Sequence, residues 1–185
     1  MKWLHEKIVT INVDIPAIRR AHEFSLKVTP TVNYKDSNQN EFDKIRDDHF
    51  VSKIGEEAVK IVISAYGKVI GPDYTIYNGK IKSWDDDLFI NNIGIAVKTQ
   101  RRTNARKYGL SWTFQYGDSR KDSILNKPDS WVIFVEYDDT NPKGNPYCCN
   151  VYPPFQIKQL TFKEPRLHHL KKSKKVIYAD TLPSL

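Results

Sequence analysis

Residues 85–100 read DDDLFINNIGIAVKTQ, two short apolar runs separated by the pair Asn91-Asn92. A two-residue Asn-rich turn between such runs predicts a β-hairpin. Closed there, Ile90 faces Ile93, Leu88 faces Ile95 and Asp87 faces Ala96. Side chains alternate along a strand, so this pairing sorts them by face. Leu88, Ile90, Ile93, Ile95 and Val97 share a face expected in the core. Asp87, Ala96 and Lys98 share the other, with Asp85 opposite Lys98. One hairpin thus carries carboxylates and a lysine beside a buried sheet face.

The same patterning gives the rest of the chain. Residues 3–14 alternate weakly and predict an edge strand; Pro16 suits the first turn of a helix through Ile18, Ala21, Phe24 and Leu26. Residues 29–40 read as a polar loop. Over residues 41–66 apolar side chains recur at helical spacing, with Gly67 as a stop and Gly55 as a place where the run divides or kinks. Glu57 lies three residues after Ile54 and four before Ile61, within or beside the apolar stripe, whereas Glu56 points elsewhere. A core-facing carboxylate requires a partner or a function. Asn78-Gly79 is a second turn signal, pairing Ile76 with Ile81 and completing a three-stranded antiparallel meander. Residues 101–108 form a basic connector ended by Gly109, and residues 110–116 are aromatic enough for a strand. The most continuous apolar strand, residues 130–137, is expected at the centre of the sheet. Residues 147–152 and 155–160 read as strands interrupted by Pro153-Pro154, and residues 166–178 as a basic helix or loop. The expected fold is α/β of the α+β kind: one domain with a central mixed sheet, an antiparallel meander and flanking helices.

Composition narrows the function. A hydrophobic fraction of 39% fits a globular core rather than disorder. No apolar run approaches the ~20 residues of a membrane span, and the N-terminus has no signal-peptide core, so a cytoplasmic location without membrane attachment is expected. Cys148 and Cys149 are adjacent, fit a reducing compartment, and point to opposite faces of a strand, which argues against zinc with His168 and His169. A net charge of +7 favours a polyanionic partner. Its distribution says more. Lys98, Arg101, Arg102, Arg106 and Lys107 follow the hairpin, and residues 158–178 hold a second group that includes Lys171 and Lys172. These cations are candidate phosphate contacts, and Arg101, Arg102 and Arg106 candidate guanine contacts. Gln100, on the Asp87 face, is a further candidate, as are Lys35, Asn38 and Asn40 in the polar loop. No P-loop, dinucleotide fingerprint or serine elbow is present, so no organic cofactor is expected.

Helix with GEE, turn with PDY, then DDDLFI and IAVKTQ together resemble the PD-(D/E)xK nuclease superfamily, in particular its type II restriction endonucleases. The resemblance covers residues 55–100 and extends loosely to SWVIFVEY and to EPRLHHLKKSKKVIYADTL. It implies a restriction-endonuclease-like core, Mg2+ (or Mn2+) as cofactor, double-stranded DNA as substrate, and a homodimer cutting both strands of a symmetric site. Homing and repair nucleases are its neighbours. On this resemblance Asp87 is the metal-binding aspartate, Lys98 the catalytic lysine, Glu57 the helix carboxylate, and the Val97 carbonyl a metal ligand. Asp73, in a literal Pro-Asp, is the rival for the aspartate role, and Asp85 a further rival ligand. The departure is Ala96, where the family has Asp or Glu. A substitution that traps an uncleaved complex, a second carboxylate supplied from Glu57 or Asp85, and loss of catalysis with DNA binding retained all account for it.

Overall fold

The Asn91-Asn92 turn closes in the register that its side chains dictate. Both residues have positive φ, 48° and 67°, as a tight turn matched to strand twist requires. Leu88 pairs with Ile95 and Ile90 with Ile93. The computed structural model describes residues 4–31, 41–77, 86–117, 121–140 and 147–184.

In chain order these residues form β1 (Val9–Asn12), α1 (Ile15–Val28), α2 (Phe42–Ile63), β2 (Val69–Ile70), β3 (Leu88–Ile90), β4 (Ile93–Arg101), α3 (Arg102–Tyr108), β5 (Ser111–Gln115), β6 (Trp131–Asp138), β7 (Cys148–Gln156) and β8 (Lys174–Tyr178). Six strands make a mixed sheet in the order β1-β7-β6-β4-β3-β2, and β5 with β8 makes a separate ribbon. The fold is α+β. Among the described residues, no helix is long and apolar enough to cross a membrane.

Both faces of the large sheet are covered. Leu88, Ile90, Ile95, Val97, Ile133 and Val135 pack against α1 and α2. Ala96, Val132 and Phe134 pack on the opposite side with Trp112, Phe114 and Ile177 of the ribbon. The topology explains the second layer. β4 and β6 are parallel neighbours, so the chain must cross over between them, and that crossover carries α3 and β5 across the face that holds Lys98. The Trp112 indole N–H donates to the Val135 carbonyl at 2.9 Å and fastens the ribbon to β6.

The helix of residues 41–66 neither divides nor kinks at Gly55; it runs unbroken from Phe42 to Ile63. A Cβ at Gly55 would lie 1.8 Å from Thr99 Oγ1, so the glycine serves close helix-to-sheet packing. The first strand of the meander is Val69–Ile70, and Thr75, Ile76 and Tyr77 are not in a strand. The Asn78-Gly79 turn lies outside the described residues, as do Lys35, Asn38, Asn40 and Asp85. β7 is a single strand running through Pro153-Pro154. The prolines lack an N–H for the ladder, and the pairing with β6 shifts register between Ile133 and Val135. The basic tail forms a short turn at His168–Leu170 followed by strand β8.

Candidate functional site

β3 begins at Leu88, one residue after Asp87, and the Asp87 side chain takes over where the ladder ends. The Asp87 N–H donates to the Ile95 carbonyl at 3.0 Å. Its carboxylate Oδ2 accepts the Val97 N–H at 2.7 Å. The N–H and C=O of one strand residue address the same neighbouring strand, so the Val97 carbonyl opens on the edge that Asp87 occupies. Lys98 projects from the Asp87 face. Its Nζ donates to Asp122 Oδ2 at 2.7 Å and stands 4.8 Å above the centre of the Phe114 ring.

Asp87, Val97, Lys98 and Asp122 line a cleft of about 990 Å³ bounded by α2, the β3–β4 hairpin and the β5–β8 ribbon. Glu56, Asp73 and Asp86 line it too. Ala96 is among the lining residues although it is 5% exposed. It packs in the cluster that contains Ile124, two residues after Asp122. One segment thus adds Ile124 to the cluster around Ala96 and a carboxylate to Lys98.

The two helix glutamates exchange places relative to the sequence reading. Glu56 lines the cleft and accepts from Lys53 Nζ at 2.5 Å. Glu57 is buried and accepts from Arg20 at 2.9 Å and from the Tyr74 hydroxyl at 2.8 Å. Burial, together with the bond to Glu57, pushes the Tyr74 hydroxyl well above its ordinary range. Periodicity set only Glu57 on the buried stripe, but both glutamates are buried, Glu56 beside Lys53 and Glu57 beside Arg20 and Tyr74.

Asp73 also lines the cleft, accepting from the Thr75 N–H at 2.9 Å and the Tyr77 hydroxyl at 2.6 Å. Desolvation opposes ionisation there, but the bonds from Tyr77 and Thr75 prevail and hold the carboxyl below its ordinary value.

The basic residues after the hairpin divide. Arg101 pairs with Asp47. Arg102 donates to Glu136 at 2.9 and 3.1 Å and pairs with Asp138, which fixes the start of α3 to the end of β6. Arg106 and Lys107 are exposed on α3, with Lys107 Nζ 5.1 Å from the centre of the Tyr108 ring. Lys171 and Lys172 are exposed before β8. Gln100 joins β4 to the ribbon: its Oε1 accepts the Ser111 N–H at 2.7 Å, a structural use of that side chain. Asp122 and Glu56 are the site residues that the sequence reading missed. Asp122 comes from a polar loop with no motif, and only the crossover brings it to Lys98.

As metal donors, Asp87 and the Val97 carbonyl supply oxygen alone. Oxygen donors suit Mg2+ or Mn2+, and Mg2+ is commonly held by one or two carboxylates while it keeps several waters. The Ala96 methyl adds no donor, and among the described residues no group of three or more His, Cys, Asp or Glu side chains is placed to hold a metal. No family model matches the chain, and no curated protein or solved structure shows significant similarity to it.

Proposed function

We propose that the protein is a magnesium-dependent endonuclease of double-stranded DNA, of restriction type, built on a restriction-endonuclease-like core and acting as a homodimer. One observation carries the reading. Asp87 and Lys98 share a hairpin face at the wall of a large cleft, and Asp122 gives Lys98 the carboxylate neighbour that position 96 lacks.

In this reading Asp87 and the Val97 carbonyl would hold a divalent ion, which would supply charge neutralisation at the phosphate and a more acidic water. Lys98 presents its ammonium to a non-bridging phosphate oxygen, where negative charge develops. Asp122 is a positioning residue, holding the lysine against the Phe114 ring with its Nζ toward the cleft. Glu56, neutralised by Lys53, lies on the facing wall, and Glu57 has no part in the chemistry.

The test is nicking of supercoiled plasmid in magnesium. Lys98→Ala is expected to lose about 10²–10³-fold, the usual cost of removing one transition-state donor. Asp122→Asn is expected to lose about 10-fold, as for a group acting through its neighbour. Undiminished cutting by Lys98→Ala would overturn the proposal. A second reading, a DNA-binding protein without hydrolysis, is favoured by Ala96 alone; it requires salt-dependent binding of duplex with no magnesium-dependent cutting.

A further inference from the structure

The cations around the cleft fall into two groups. Those on the helix and sheet side are neutralised: Lys53 by Glu56, Lys98 by Asp122, Arg101 by Asp47. A polyanion approaching them meets their carboxylates as well. On the ribbon side, two exposed cleft-lining cations rest on tyrosine rings instead. Arg166 lies 4.5 Å from the centre of the Tyr178 ring, and Lys121 Nζ 5.2 Å from that of Tyr116. Among the described residues, the structure shows no carboxylate ion-paired to either. A cation held over a ring keeps its charge and leaves N–H donors for a further partner.

The supports for these two side chains are fixed by the fold. The Arg166 N–H donates to the Tyr178 hydroxyl at 2.9 Å. Gly109 passes close beside the guanidinium: a Cβ there would lie 2.8 Å from Arg166 Nη1. Tyr116 follows β5 directly and bridges to Lys121. The ribbon pairs Ser111 with Tyr178 at one end and Gln115 with Lys174 at the other. Those four steps span ~13 Å at ~3.3 Å per residue, close to the axial length of about four base pairs.

We infer that the β5–β8 ribbon is the wall along which the phosphate backbone of duplex DNA lies, held by Arg166 at one end and Lys121 at the other. Arg101 and Arg102 serve the fold rather than the nucleic acid. The inference rests on the nuclease reading above and adds which surface receives the backbone.

The experiment is anisotropy of a short fluorescein-labelled duplex over a series of NaCl concentrations without magnesium. The wild-type chain is run beside Lys121→Ala, Arg166→Ala, the double variant and Lys171→Ala/Lys172→Ala. Each phosphate contact contributes about 0.9 to the slope of log affinity against log salt. The double variant is therefore expected to lose about 1.8 from that slope, which is roughly 60-fold in affinity at about 0.1 M salt. Both side chains are exposed, so folding is expected to survive, and a melting curve checks it. A double variant that keeps the wild-type slope, or a slope lost only in Lys171→Ala/Lys172→Ala, overturns this surface while leaving the nuclease reading intact. Tighter binding of a single strand than of duplex overturns the duplex assignment. A wild-type chain that neither binds nor cuts DNA overturns the reading on which the inference rests.

Discussion

Arg102 reaches from the first turn of α3 to two carboxylates at the end of β6, and Glu136 shows the effect. The hydrogen bond from Arg102 is the largest influence on Glu136, and with Asn150 it outweighs burial to hold the carboxyl below its ordinary value. A carboxylate whose folded pKa is depressed contributes stability above its unfolded pKa and loses it as pH falls through the folded one. Arg102→Gln is therefore expected to cost about 2 kcal/mol at neutral pH, the scale of a hydrogen bond to a charged group. The gap from wild type should close in acid, once Glu136 is protonated in both chains. Denaturant melts across that range check it. A gap that stays constant into acid would mean that the ion pair is not what Arg102 contributes. At the same scale, Cys149 is fully buried in β7, and that burial pushes its thiol far above the ordinary range.

The central contact between elements is α2 against β4. Gly55 packs directly over Thr99 there, whose buried Oγ1 finds no hydrogen-bond partner among the described residues. Alanine ordinarily stabilises a helix interior by about 1 kcal/mol relative to glycine. Here the added methyl must displace Thr99 or separate helix from sheet, an overpacking cost of about 1–3 kcal/mol. Gly55→Ala is expected to lower stability, and pairing it with Thr99→Ala to recover most of the loss. A double-mutant cycle in urea measures this coupling; additive effects would contradict the packing account. The β3–β4 register was legible in the sequence because one pairing gathers Leu88, Ile90, Ile95 and Val97 on a buried face, although Ile93, expected with them, is exposed beside the turn. The central position of β6 was legible because eight residues with few polar positions suit only a strand covered on both sides. The tail was misread because Lys174 and Lys175 open a strand whose apolar half, Val176, Ile177 and Tyr178, is too short to show a period. Asp122 was illegible because its role depends on the crossover that brings it to Lys98.

Across the whole molecule there are three layers, helices on one face of the large sheet and the ribbon on the other, with the cleft bounded by α2, the β3–β4 hairpin and the ribbon. Around the cleft, Lys53, Lys98 and Arg101 are paired with carboxylates, whereas Lys121 and Arg166 on the ribbon side rest on tyrosine rings. Ala96 is buried in the cluster on the ribbon side and also lines the cleft, so position 96 is where a second carboxylate would join Asp87 and Lys98. This makes plasmid cleavage in magnesium by wild type and Ala96→Glu, with Lys98→Ala added to each, the most direct measurement of the central claim. The account predicts slow nicking by the wild-type chain, faster nicking by Ala96→Glu through a second carboxylate on the Asp87 face, and loss of both with Lys98→Ala. If neither chain cuts, or if cutting survives Lys98→Ala, the Asp87–Lys98 face is not a phosphodiesterase site and the account is wrong.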